Sequence, residues 1–183
     1  HEVRVTVERG ARTFVNYCLS CHSASFMRYS RLVDDLGVPK EVVEKNLMFT
    51  TDKIGDVMQV AMKPADGEQW FGVPPPDLSV IARARGADWL YSFLMGFYKG
   101  DKRPTGVNNL YFPTTAMPAV LSRLQGVQVL KPAAEGEAAH GEGHAGHAGP
   151  TLELAMPGTQ SPEEYAATVR DLVSFMVYLG EPA

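Results

Sequence analysis

The chain is poor in cysteine: it has two in 183 residues, three positions apart. A disulfide closing so tight a loop would do little structural work. A structural zinc site wants four ligands, usually from two such pairs. No run of 18 apolar residues occurs, so no segment reads as a membrane-spanning helix. A basic excess is lacking too: 17 Lys and Arg stand against 21 Asp and Glu, a net charge of −4. That excludes the basic face of a duplex nucleic-acid binder, and the mild negative balance fits a basic protein partner better. No Met or basic-apolar leader opens the chain at His1, which reads as processed or trimmed. With 45% hydrophobic residues there is enough for one core, here a single domain over residues 1–183 with long insertions.

Gly10, Phe14 and Cys18 are spaced four apart, which predicts one face of a helix running from Gly10 to His22. Residues 39–49 predict a second helix, with Pro39 at its first position and an apolar stripe of Val42, Val43, Leu47 and Met48. Residues 65–73 read as loop, and Pro74-Pro75-Pro76 forces an extended stretch. Short helices are expected over 80–85, capped by Asp77 or Ser79, and over 88–97. Residues 100–118 read as loop. The tract 133–150 holds Ala, Glu, Gly and His with no large apolar group, and is expected to be a flexible, solvated insertion despite His140, His144 and His147. Ser161-Pro162-Glu163-Glu164 is a capping box that opens the last helix, whose stripe is Tyr165, Val169, Leu172, Val173, Met176 and Leu179.

Cys18-Leu19-Ser20-Cys21-His22 is a C-x-x-C-H motif. The spacing suits covalent haem attachment: each thiol adds to one vinyl group, and the adjacent imidazole lies under the iron. One covalent haem c is therefore expected, on Cys18 and Cys21 with His22 as iron ligand. A redox dithiol or half a zinc site is the bland alternative, but neither explains His22.

Every other histidine lies at the N-terminus or in the 133–150 tract, so the sixth iron ligand is expected to be methionine, which suits electron transfer. Met117 and Met156 both stand in Ala-Met-Pro contexts on loops before the last helix. Met117, which follows Tyr111-Phe112-Pro113, is favoured. Met156, or an open or water-bound site, is the alternative. Pro76 offers a rigid carbonyl to orient the histidine ring, and Arg83 or Arg85 has the fork to bind a haem propionate.

These residues carry a family resemblance. The Gly10…Phe14…Cys18-x-x-Cys21-His22 pattern and Arg170-Asp171-Leu172-Val173-Ser174-Phe175 resemble the first and last helices of class I cytochromes c, which cross near Gly10 and Phe14. Pro75-Pro76-Asp77-Leu78-Ser79 with Arg83-Ala84-Arg85, Tyr111-Phe112-Pro113 leading to Ala116-Met117-Pro118, and Ser161-Pro162-Glu163-Glu164-Tyr165 are similar to the cytochrome c1 family. The resemblance implies an all-α, class I cytochrome c-like haem domain with long loop insertions. It also implies Met117 as sixth ligand and Arg85 at a propionate. The implied function is one-electron transfer from a Rieske iron–sulfur protein to a soluble cytochrome c, beside cytochrome b, in a complex outside which the chain catalyses nothing.

Two features depart from the family pattern: the family's C-terminal membrane helix is not in this sequence, and the 133–150 tract is not a shared feature. An anchor encoded after Ala183 is the expectation, with the haem domain on the periplasmic face of a bacterial inner membrane. The rivals are a soluble periplasmic carrier of the same fold, and a haem enzyme or gas sensor with open iron.

Overall fold

The computed structural model describes residues 2–60, 62–132 and 149–182. The expectations for the 133–150 tract, from 133 to 148, and for the chain after Ala183 lie outside the described residues.

Among the described residues the longest helices are the first, α1 (Glu2–Tyr17), and the last, α8 (Pro162–Gly180). They cross where Gly10 of α1 meets the Asp171 carbonyl, so closely that a Cβ on Gly10 would lie 2.0 Å from that oxygen. Phe14 and Phe175 fill the next layer, ring centroids 5.2 Å apart. Both are fully buried, as are Val169 and Leu172. α8 starts with the capping box: Ser161 Oγ accepts from the Glu164 amide at 3.1 Å, and the Ser161 amide donates to Glu164 Oε1 at 3.3 Å. Such a cap contributes about 1 kcal/mol. All six predicted stripe residues of α8 are buried. α1 ends five residues short of the predicted His22, because the chain turns at Cys18, whose carbonyl accepts from the Cys21 and His22 amides.

Between these helices run β1 (Ala24–Arg28), α2 (Ser30–Asp34), α3 (Lys40–Asn46), β2 (Val57–Met58), α4 (Pro64–Phe71), α5 (Ile81–Arg85), α6 (Ala87–Met95), β3 (Phe97–Lys99), β4 (Val107–Asn109), α7 (Ser122–Gln125), β5 (Gly126–Lys131) and β6 (Thr151–Pro157). Pro39 caps α3 rather than beginning it. α4 replaces the predicted loop, with Pro64 in its first turn and Gly72 in the left-handed region at its end, the ordinary start and stop signals of a helix.

The all-α expectation is corrected. Among the described residues three antiparallel two-stranded sheets, β1–β2, β3–β4 and β5–β6, sit among the helices, giving a mixed α and β composition. Long connections over a core leave backbone amides and carbonyls that need partners, and short ladders supply them locally. β5 and β6 pair Val127 with Met156 and Val129 with Glu153, with an irregularity between Val127 and Gln128. The buried apolar side chains form one cluster drawing on α1, β1, α2, α3, α6 and α8. Among the described residues no helix is long and apolar enough to cross a membrane.

Candidate haem site

Cys18, Cys21 and His22 open onto one cavity of about 290 Å³, and so does Met117. Its walls are apolar: α6 supplies Leu90, Phe93 and Leu94, and α8 supplies Leu172 and Met176. Burial pushes the Cys18 thiol up to about 12, with the neighbouring Cys21 thiol adding to the effect. A thiol so protonated is a poor thiolate for zinc or for disulfide exchange. Among the described residues no group of three His, Cys, Asp or Glu side chains stands ready for a metal.

His22 is oriented by the backbone. Its Nδ1 lies 2.7 Å from the Pro76 carbonyl oxygen. A carbonyl can only accept, so Nδ1 carries the proton and Nε2 keeps its lone pair. Burial lowers the His22 pKa, against the opposing pull of the Pro76 carbonyl and of Asp77, so the ring is held neutral. A neutral imidazole with a free Nε2 is the form that binds iron.

Asp77 sits behind this contact. It does not cap α5, whose N-cap is Val80 with no side-chain bond. Instead its carboxylate accepts from the Ser25 amide (2.9 Å), the Ser25 hydroxyl and the Ser79 amide (2.8 Å), clamping the Pro76 loop to β1. Burial pushes the Asp77 carboxyl up, but the Ser25 and Ser79 donors outweigh it and leave the group below the usual carboxylate range. A carboxyl with a depressed folded pKa stabilises the fold above its unfolded value and loses that contribution as pH falls through the folded one. Wild type should therefore resist urea better than Asp77→Asn near neutral pH, and the gap should narrow below about pH 4. A gap that stays constant into acid would contradict the clamp.

The two candidate arginines part company. Arg83 pairs with Glu181 at 3.2 Å. Arg85 lines the cavity and lies over the rings of Trp89 (4.6 Å) and Phe112 (5.4 Å). The methionines part too. Met156 is 62% exposed on β6 and is not among the cavity residues, whereas Met117 is half-buried and lines the cavity. Met27, Met48 and Met58 are core.

Sequence reasoning missed the α6 side of the aromatic wall, Trp89 and Phe93. Trp89 stacks on Phe93 with centroids 5.0 Å apart, and Phe112 meets both edge-on. The four-residue spacing of Trp89 and Phe93 marked a helix, but nothing local marked which cavity they face. The far end of α6 was missed as well. Asn109 donates to the Phe93 carbonyl, Tyr165 to that of Leu94, and Gln128 to those of Met95 and Phe97.

The family model for the cytochrome C1 family matches residues 4–129. The chain is 43% identical to cytochrome c1 of Allochromatium vinosum over 98% of its own length and 71% of that protein. The chain belongs to the cytochrome c1 family. It is also 49% identical to a protein named ammonia monooxygenase gamma subunit of Nitrosomonas europaea, over 97% of this chain and 69% of that one. A protein named cytochrome b/c1 of Bradyrhizobium diazoefficiens is 25% identical over 98% of this chain and 28% of its own length.

As a cytochrome c1 family member the chain carries covalently bound haem c and serves electron transport. Its residues fit that group: two thiols, one neutral imidazole and a methionine share one apolar cavity with an arginine among its lining.

Proposed function

We propose that this chain passes single electrons from a Rieske iron–sulfur protein to a soluble cytochrome c, as the haem subunit beside cytochrome b in a quinol–cytochrome c oxidoreductase. It would do so on the periplasmic face of a bacterial inner membrane. The observation that carries this is the sharing of one apolar cavity by Cys18, Cys21, His22 and Met117. The similarity to cytochrome c1 and to the protein named cytochrome b/c1 supports the assembly.

When bound, the haem supplies a one-electron redox centre. Cys18 and Cys21 would tether it. His22 Nε2 and Met117 Sδ would hold its iron, with the Pro76 carbonyl keeping the His22 ring in one orientation. Arg85, spread over Trp89 and Phe112, would turn an edge of its guanidinium to a propionate. The apolar walls from α6 and α8 exclude water, which favours the less charged iron state and, with a thioether ligand, a high potential.

The test uses the intact membrane complex in rapid mixing. Quinol should reduce the haem only when the Rieske subunit is present, and added soluble cytochrome c should reoxidise it. Haem reduction by quinol at an unchanged rate without the Rieske subunit would overturn this proposal, as would failure of soluble cytochrome c to take the electron. The relative named ammonia monooxygenase gamma subunit supports a second reading, a subunit of a monooxygenase assembly. The reoxidation step separates the two.

A further inference from the structure

Every α-helix ends with carbonyls that its own amides cannot reach. In α6 those carbonyls are met chiefly by side chains from distant segments: Asn109 Nδ2 donates to Phe93 O at 2.8 Å, beside the Gly96 amide at 3.1 Å; the Tyr165 hydroxyl donates to Leu94 O at 2.7 Å; and Gln128 Nε2 donates to Met95 O at 2.8 Å, beside Gln125 Nε2 at 3.2 Å. Of these side chains, Asn109 alone also holds the loop that follows it. Its Oδ1 accepts from the Tyr111 amide at 2.9 Å and the Phe112 amide at 3.2 Å. The side chain is fully buried.

Asn109 is thus the joint between two parts of the haem cavity. On one side is the α6 wall at Phe93, stacked on Trp89. On the other is the segment carrying Phe112 and, five residues further, Met117. The rest of that segment is fastened to the same neighbourhood. Asn108 Oδ1 accepts from the Thr114 amide at 2.8 Å, Arg103 Nη2 donates to the Thr114 carbonyl at 2.9 Å, and Thr115 Oγ1 accepts from the Met117 amide at 3.3 Å. Thr114 takes a φ of +65°, a left-handed conformation that a threonine adopts only when its surroundings hold it there. Gly96 leaves the room: a Cβ there would lie 2.8 Å from the Tyr111 ring and 3.1 Å from Asn109 Oδ1.

We propose that Asn109 is the positioning residue for the Met117 thioether, fixing the Met117 segment against the α6 wall so that the sulfur is presented to the haem iron. This rests on Met117 being the sixth ligand. Without the amide, the part-buried N–H groups of Tyr111 and Phe112 lose their shared acceptor, the Phe93 carbonyl keeps only the Gly96 amide, and the segment relaxes to satisfy them. Relaxation moves the sulfur off the iron for part of the time, and an iron so exposed binds exogenous ligands.

The experiment compares holo forms of the full chain: wild type, Asn109→Leu, Asn109→Asp, Gln128→Leu and Met117→Leu. The readouts are the methionine-to-iron absorption band of the oxidised protein, carbon monoxide binding to the reduced protein, haem content and thermal midpoint. Asn109→Leu should weaken the band and bind carbon monoxide about tenfold faster, the shift expected from losing one buried polar network. Asn109→Asp keeps the size of the side chain and the acceptor for the two amides but sets an oxygen against Phe93 O. It should move both readouts the same way, and it decides the matter if the leucine variant yields no holoprotein. Gln128→Leu removes a donor to the Met95 and Phe97 carbonyls, leaving Gln125 on Met95 O, without touching the loop, so it should lower the thermal midpoint and leave band and carbon monoxide rate unchanged. Wild-type band and rate in the Asn109 variants would overturn the proposal. So would equal spectral effects of Gln128→Leu and Asn109→Leu, since the amide would then be only a helix cap. If Met117→Leu itself keeps the band, the ligand assignment has failed, and the proposal about Asn109 falls with it.

Discussion

Gly10→Ala should lower the stability of the holoprotein by about 3 kcal/mol or more, a drop of roughly 6–12 °C in thermal midpoint for a chain of this size. The direction is the informative part. In an isolated helix the same change stabilises by up to about 1 kcal/mol, because alanine is the better helix former. Here the added Cβ would stand 2.0 Å from the Asp171 carbonyl oxygen, 2.7 Å from its carbon and 2.8 Å from Phe175 Cβ. Two of those atoms are backbone, so no rotamer change clears them. α1 and α8 must separate, which opens the layer where Phe14 and Phe175 touch. Gly55 is the control, since a Cβ there meets nothing within 4 Å; Gly55→Ala should stay within about 0.5 kcal/mol of wild type. Thermal unfolding of both variants by circular dichroism checks this. An unchanged or raised midpoint for Gly10→Ala would mean that the helices do not cross as closely as described.

Met117→Leu should abolish the methionine-to-iron band, open the reduced iron to carbon monoxide, and lower the reduction potential by on the order of 0.1 V, within the span of about 0.8 V that axial ligation commands. Leucine nearly conserves volume, so the fold should lose less than about 1.5 kcal/mol and the spectral change can be assigned to ligation. Two other methionines serve as comparisons. Met156 lies on β6 opposite Val127 and is 62% exposed, so Met156→Leu should change nothing. Met176 lines the same cavity but is packed into the face of α8, so Met176→Leu should alter stability slightly and leave the band in place. Loss of the band in either comparison, with the band kept in Met117→Leu, would reassign the ligand.

What could be read from the sequence was local. The C-x-x-C-H motif, the capping box at Ser161 and the stripe of α8 each lie within a few turns of chain, and their physics is complete at that range. The His22 contact with Pro76 spans 54 residues, and its one local signal was the rigid, free carbonyl that a proline in an extended run offers. The sheets were missed because β2 has two residues and β3 and β4 have three each, too short to display a period of two. β5 and β6 do alternate, as in Val127-Gln128-Val129 and Leu152-Glu153-Leu154, but the tract between them hid the pairing. α4 was misread because Asp66, Gly67, Glu68 and Gln69 give no apolar stripe, although Pro64 and Gly72 punctuate it as a helix. The caps on α6 had no local signal at all, since Asn109, Gln128 and Tyr165 are ordinary polar residues until the fold brings them to one helix end.

That borrowed ending of α6 has a bearing on the order of assembly. A nine-residue helix is too short to persist alone in water. Its final turn is completed by partners 16, 33 and 71 residues away along the chain. Closing such loops costs entropy before any bond forms to offset it. The cofactor wall is therefore among the last parts to rigidify, and the amide protons of that turn should exchange with solvent through openings smaller than that of the whole domain.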